Sequence, residues 1–267
     1  IAAVSIPISM GYAQIAGLPP VYGLYGSILP ILLFAIFSTS RQFIFGVDAA
    51  PAALAGSALL SLGIVPGSEA ALNYIPLLAL LTGLWLFFFY IIKADRIVNF
   101  ISTPVMGGFI SGIALTIILM QIPKLMGSSA GSGEIIELAE HIYSASQNIH
   151  WLSLELGLGT LLIIRVFKKL IPKFPIAILI MATGVLCTTA FHVDAKGVLL
   201  LDSVSTGLPA FFLPDFSQVD LTQAAGRGLI IALVIMAETL LAENNFAFRN
   251  GYTLNDRQEI LACAAGN

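Results

Sequence analysis

The chain has 267 residues, 58% of them hydrophobic and only 10% charged, with a formal net charge of −3 and a mean hydropathy of +0.95. A soluble domain carries about 25% charged residues, so this chain has too little polar side chain to cover a globule of its size in water, and a bilayer is its natural solvent. The small negative charge excludes the basic surface that nucleic acid needs, and Cys187 and Cys263 make neither a disulfide framework nor a metal-ligand pattern.

The chain starts at Ile1 inside one apolar segment and ends at Gly266-Asn267 inside another, so it reads as a piece of a longer protein. The first segment, from about Ala2 to Ala16, is interrupted by Pro7. Leu18-Pro19-Pro20 makes a turn, and a second segment from about Tyr22 to Phe37 contains Pro30. Proline removes a backbone donor and clashes with the preceding turn. In lipid the freed groups must be satisfied by protein or water, so both segments are expected to face a bundle interior. Gln42-Phe43-Ile44-Phe45 is aromatic and branched and predicts a short strand, ended by Gly46. Ala49 to Leu62 then predicts a helix of only about 14 residues, roughly 21 Å long, too short to cross ~30 Å of hydrocarbon. A strand feeding a half-helix near the midplane is the expectation, and broken helices of this kind hold the substrate in secondary transporters.

Val65 to Asn73 predicts a polar loop, Tyr74 to Ile92 a full span closed by Lys93, Asp95 and Arg96, and Val98 to Ile122 another span. Gly107, Gly108 and Gly112 near the start of the latter allow close helix approach. Glu134 to Ser144 suits a short amphipathic helix in the interface. Trp151 to Phe167 and Pro175 to Phe191 are spans separated by Lys168, Lys169 and Lys173, and His192 to Asp220 is a polar connection. Leu221 to Ala242 is a span carrying Glu238. Glu243 to Arg257 reads as a polar loop that leaves Glu243 unburied at the cytoplasmic end, and a last apolar segment starts near Ile260. With the start of the chain cytoplasmic, Arg41, Lys93, Arg96, Arg165, Lys168, Lys169, Lys173, Arg249 and Arg257 fall inside, against Lys124, Lys196 and Arg227 outside. That bias satisfies the positive-inside rule and implies a multi-pass protein of an inner or plasma membrane with a cytoplasmic N-terminus.

There is no HExxH, no CxxC and no Gly-rich loop ahead of a lysine, so an enzyme, a metal site and a cofactor are not expected. His141, His150 and His192 read as solvated or interfacial side chains. Asp48 stands at the start of the half-helix, where a carboxylate caps backbone N–H groups. The same helix start suits an anion held without a basic side chain, and Ala49, Ala50 and Gly46 leave room for it to approach. Asp48 then points away from the anion or carries a proton during part of the cycle. Glu238 lies at mid-membrane depth, where a carboxyl lines a pathway or a polar interior. It reads as a protonatable site coupled to transport, or as neutral packing glue. Tyr12, one turn beyond Pro7, offers a ring or hydroxyl to the cavity.

Gly17-Leu18-Pro19-Pro20-Val21-Tyr22-Gly23-Leu24-Tyr25, followed by Ser38-Thr39-Ser40-Arg41 and Gly46-Val47-Asp48-Ala49-Ala50, resembles the SulP family of sulfate permeases and related anion transporters. The late Glu238-Thr239-Leu240-Leu241 fits the same resemblance. It implies an all-α polytopic membrane protein, the first half of a 7+7 inverted-repeat transporter whose broken segment 3 is a short strand plus half-helix. On that pattern residues 1–123 hold the core segments and the start of the gate, and 124–220 hold gate segments 6 and 7 with their loops. Residues 221–267 hold core segment 8 and the start of segment 9. Segment 10, with half of the anion site, and a cytoplasmic STAS domain fall outside this sequence.

The implied activity is secondary active transport of an inorganic anion of the sulfate, bicarbonate or chloride class by alternating access, proton-coupled or by exchange. A dicarboxylate or nucleobase permease of the same fold, and a channel-like conductor, are the alternatives. The implied substrate-binding residues are Pro7, Ile8, Tyr12, Val47, Asp48, Ala49 and Ala50. Pro7 matches the family's segment 1 proline, Ile8 stands where many members have glutamine, and Val47 replaces a frequent proline. Glu238 is the implied coupling-ion residue. Sodium-coupled bicarbonate members carry an aspartate there and a hydroxyl residue four positions later, where this chain has Ala242, so a proton is favoured over sodium. The implied partners are the anion, the coupled proton and the bilayer, and the resemblance leaves a homodimer open.

Overall fold

The computed structural model describes residues 2–95, 103–129, 135–171, 176–200, 207, 213–216 and 219–267. Arg96, Lys173 and Pro175 of the expected topology lie outside the described residues. Eleven α-helices form among these residues, with no β-bridge: α1 Ala2–Ile15, α2 Pro20–Gly26, α3 Leu29–Phe37, α4 Ala49–Ser61, α5 Glu69–Ile92, α6 Thr103–Leu125, α7 Ile135–Gln147, α8 Trp151–Leu170, α9 Ile176–Phe191, α10 Leu221–Asn250 and α11 Asp256–Gly266. Three stretches are long and apolar enough to cross a membrane: Pro20–Phe37, Glu69–Ile92 and Leu221–Asn250. The chain is a multi-pass, all-α membrane protein. Its contacts cluster into two compact units, Ser9–Ile113 with Ser205–Asn267, and Ile1–Ile8 with Ala114–Val204.

The first unit is built on α5 and α10, which pack along each other, with α11 against α3 and α5 and with α4 against α10. Tyr74, Leu77, Leu78 and Leu86 of α5 meet Met236 and Leu240 of α10 and Ile260 of α11 in its core. The opposite face of α5 leaves Leu84, Phe87, Phe88 and Ile91 exposed, as a lipid-facing side requires. Lipid is as apolar as leucine, so these helices are held by close packing and hydrogen bonds. Gly228 lets the α10 backbone come against Leu81 and Thr82, and the Trp85 indole N–H donates to the Ala225 carbonyl at 2.9 Å. Arg227 Nη1 donates to the Ala58 carbonyl at 3.0 Å and lies 3.3 Å from the Tyr74 hydroxyl, so a cation closes the C-terminal end of α4.

Proline placement explains why the expected segment from Tyr22 to Phe37 is two helices. Pro20 opens α2 and Pro30 sits in the first turn of α3, positions where the missing N–H is not needed. Ser27 fills the break between them, its hydroxyl 2.7 Å from Ser9 Oγ and 2.8 Å from the Gly23 carbonyl. The strand expected over Gln42–Phe45 is not formed among the described residues. A strand needs a neighbouring ladder. Instead this linker folds back on α3, with Phe45 stacked on Phe34 at 4.7 Å between ring centroids and Phe43 at 5.9 Å.

The polar run from Glu243 to Arg257 is a loop only over residues 251–255. α10 continues through it for two further turns and ends at Gly251 in the left-handed conformation, φ 70°. Its N-terminus is capped by Asp220, which accepts from the Thr222 and Gln223 N–H groups. The Gln223 amide is the largest of the donors that hold the exposed Asp220 carboxyl below the usual carboxylate range. The continuation places Glu243 inside the protein with no exposure at all, which corrects the expectation of an unburied end.

In the second unit α8 and α9 are neighbours, and α7 meets α8 at a bend of 116°. His150, expected to be a solvated or interfacial side chain, is the N-cap of α8. Its Nδ1 accepts from the Ser153 N–H at 3.3 Å, and its Nε2 donates to the Lys196 carbonyl at 2.9 Å. Cys187 and Cys263 are free thiols.

Small residues set the closest approaches in the first unit. A Cβ at Gly23 would overlap the Ser9 carbonyl of α1, and one at Gly56 would overlap the Ile15 carbonyl, whereas Gly11 has open space around it. Gly23→Ala should therefore lower the melting temperature of the detergent-solubilised protein, in line with overpacking penalties of about 1–3 kcal/mol. Gly11→Ala should melt at or above wild type. Equal melting of the two variants would show that α1 and α2 are not in contact at Gly23.

Candidate functional site

α4 is a half-helix of 13 residues. Its N-terminal tip opens into a cavity of about 510 Å³ that lies wholly within the first unit. The walls are Ala13 of α1 and Ala16 just beyond it, Tyr22, Gly23 and Gly26 of α2, the non-helical residues 43–48, and Ile235, Glu238 and Thr239 of α10. No lysine or arginine is among the lining residues. The polar residues that line the space are Asp48, Glu238, Thr239, Tyr22 and Asn267.

At that tip Asp48 is the N-cap, extended at φ −119° and ψ 154°, and its Oδ1 accepts from the Ala49 N–H at 2.6 Å. The Ala52 N–H already bonds to the Asp48 carbonyl at 3.2 Å, and Pro51 has no N–H. Ala50 is therefore the one amide of this first turn left without a partner among the described residues. Glu238, half-buried past the middle of α10, lies close enough to Asp48 for the two carboxyls to interact. Its Oε2 is buried and has no hydrogen-bond partner among the described residues. Tyr12, half-buried on α1, is also within electrostatic range of Asp48.

Of the residues read from the sequence, Val47, Asp48 and Glu238 line the cavity, while Ala49 and Ala50 form the helix tip behind Asp48. Pro7 and Ile8 belong to the other compact unit, and Ile8 is exposed. The structure adds a set of residues that sequence reasoning passed over. The Glu259 carboxylate on α11 accepts from the Ser38 hydroxyl at 2.6 Å, from the Thr39 N–H at 2.6 Å and from the Thr39 hydroxyl. Gln258 Nε2 donates to the Phe37 carbonyl at 2.9 Å. These bonds fix the end of α3 and so the approach of the linker to the cavity. Asn255, which caps α11 three residues ahead of Gln258, is a sequence signal for the start of this helix but not for these contacts.

An all-α membrane bundle in which a half-helix ends at an internal cavity is the architecture of membrane carriers. The chain belongs to the sulfate permease family, whose family model matches residues 1–267. It is 28% identical to a probable sulfate transporter of Mycobacterium tuberculosis, over 100% of this chain and 48% of that protein. It is 31% identical to sulfate transporter 2.1 of Arabidopsis thaliana, over 98% of this chain and 41% of that protein. The chain thus spans about half the length of the curated relatives it matches. Among solved structures it superposes on the transmembrane domain of a cyanobacterial bicarbonate transporter, BicA, with a TM-score of 0.84 and 18% identity, covering 99% of this chain and 68% of that one. The likeness to SLC26A9 has a TM-score of 0.82 and 20% identity, covering 98% of this chain and 45% of that one.

Asp48 separates capping from charge. Asparagine caps helices as well as aspartate does, whereas alanine costs about 1 kcal/mol. Asp48→Asn should melt like wild type and Asp48→Ala should melt lower. A Asp48→Asn variant as destabilised as Asp48→Ala would mean that the negative charge, not the cap, holds the tip.

Proposed function

We propose that this chain is part of a secondary active transporter that moves an inorganic anion by alternating access, with the anion drawn to the α4 tip. The observation that carries the reading is the cavity at that tip, lined by Val47, Asp48, Pro51 and Ala52 at a helix N-terminus and by no cationic side chain. A helix start favours negative charge through its unpaired N–H groups and dipole. Ala50 supplies the amide that the Asp48 cap leaves open. Tyr12, Val47 and Ala49 complete the proposed substrate set within this unit, with segment 10 closing the site through its half-helix and pairing with the short strand of residues 42–45. Relatives named as sulfate transporters, and a likeness in fold to a bicarbonate transporter, support the inorganic-anion class.

The electrostatics of the same cavity support coupling to a proton. Asp48 and Glu238 both face the space where the anion would sit. Two ionised carboxylates there would repel each other and the anion. One proton held between them removes part of that repulsion, so proton and anion load together and leave together. Ala242, one turn beyond Glu238, has no hydroxyl to offer sodium. The core of the transporter is proposed to be residues 1–123, whose last segment begins the gate, together with 221–267, with the gate in 124–220, and the start of the chain is proposed to be cytoplasmic on the charge bias of its loops.

The test is uptake of sulfate and bicarbonate into proteoliposomes of the full-length protein under imposed proton and sodium gradients. Wild type should accumulate anion when the outside is acidic, and Glu238→Gln, which keeps size and hydrogen bonding, should bind anion but lose the response to the proton gradient. Wild-type uptake that ignores the proton gradient, or full proton-driven accumulation by Glu238→Gln, would leave Glu238 as a neutral packing residue. Saturable uptake of uracil but not of anions would favour the nucleobase reading.

A further inference from the structure

We propose that Glu243 and Glu259 form a buried proton-binding site, separate from the cavity, in which one shared proton locks α10 to α11 and to the Ser38–Thr39 turn. Both side chains have 0% exposure. Glu259 accepts from Ser38 and twice from Thr39. A carboxylate offers about four lone-pair sites, so Glu259 has room for one more donor. Both oxygens of Glu243 are buried and receive no hydrogen bond among the described residues, and its carboxyl lies beside that of Glu259. An ionised carboxylate in that position would be unpaired in a medium that cannot solvate it. A protonated Glu243 supplies the missing donor, its O–H pointing at the free lone pair of Glu259.

The surrounding charges point the same way. Asp256, on α11, adds a further negative charge within range, and the Cys263 thiol is the remaining titratable neighbour. The arginines of this region are engaged elsewhere. Arg41 lies over the Tyr252 ring, and Arg257 lies over the Tyr90 ring while its Nε donates to the Tyr90 carbonyl. A metal ion is disfavoured, because no three His, Cys, Asp or Glu side chains converge among the described residues. Loss of the proton would set two adjacent negative charges between α10 and α11 and loosen the anchor that Glu259 gives the linker ahead of α4.

The site is independent of proton coupling at Glu238, and its test is made in the Glu238→Gln background so that the two readings fail separately. Infrared difference spectra of the full-length variant in H₂O and D₂O should show a deuterium-sensitive band of a protonated carboxyl at neutral pH. Adding Glu243→Gln should abolish that band. Should the double variant fail to fold, Glu243→Asp in the same background should shift the band. A spectrum without such a band, or a band unmoved by every Glu243 substitution, overturns the proposal. So does a band that disappears when choline is replaced by sodium, which would make sodium the occupant. Stability gives a second reading. The shared proton stabilises the fold while it is bound, so the melting temperature should fall as pH rises through its release, and Glu243→Gln should flatten that dependence. An unchanged pH dependence in Glu243→Gln also overturns the proposal.

Discussion

The hydrogen bonds from Ser38 and Thr39 to Glu259 are the interaction on which the first unit depends. Between α3 and α4 the chain is non-helical for residues 38–48. Non-helical backbone at membrane depth survives only when protein or enclosed water satisfies it. Glu259 accepts the Thr39 N–H and Gln258 donates to the Phe37 carbonyl, both from a helix more than two hundred residues away in sequence. The Phe34–Phe45 stack then returns the linker toward the cavity, and only after both contacts does α4 begin where its tip faces open space. A site built on a helix terminus is as well placed as the linker that leads to it.

Much of this was legible in the chain, and the failures have specific causes. The prolines and glycines of the first sixty residues marked the breaks, and the length of the Ala49–Leu62 run marked a half-helix, because both signals are local. The division of the second apolar segment was hidden because Pro30 was read as an interruption and not as a helix start. Glu243-Asn244-Asn245 looked like a loop because polarity was taken for exposure. Gly251, with Arg249 in the turn before it, was the better marker of the helix end. The strand reading rested on side-chain type, but a strand is made by a partner, and no pairing partner occurs among the described residues. No local signal foretold that Glu259 would bond to Thr39, because that contact is wholly tertiary.

The cavity also shows how a helix can present positive potential with little to show in composition. Its lining carries two acidic side chains and no basic one, so a tally of charges would assign it to a cation. The amides and dipole at the α4 tip oppose that tally over a short range, since the effect of a helix end fades within its first turn. The cap narrows the opening further: Asp48 occupies the Ala49 N–H and Pro51 offers none.

The glycine contacts of α1 have a kinematic consequence. Meshed side chains behave as teeth, and helices joined by them slip by re-sorting rotamers one notch at a time. At Gly23 and Gly56 there are no teeth, only a Cα resting on a carbonyl oxygen of α1. Such a contact resists approach through hard-core repulsion and offers no notch against rotation. The glycine contacts therefore fix how far α2 and α4 stand from α1 without fixing their rotation, and for α2 that second task falls to the directional Ser27–Ser9 hydrogen bond beside Gly23.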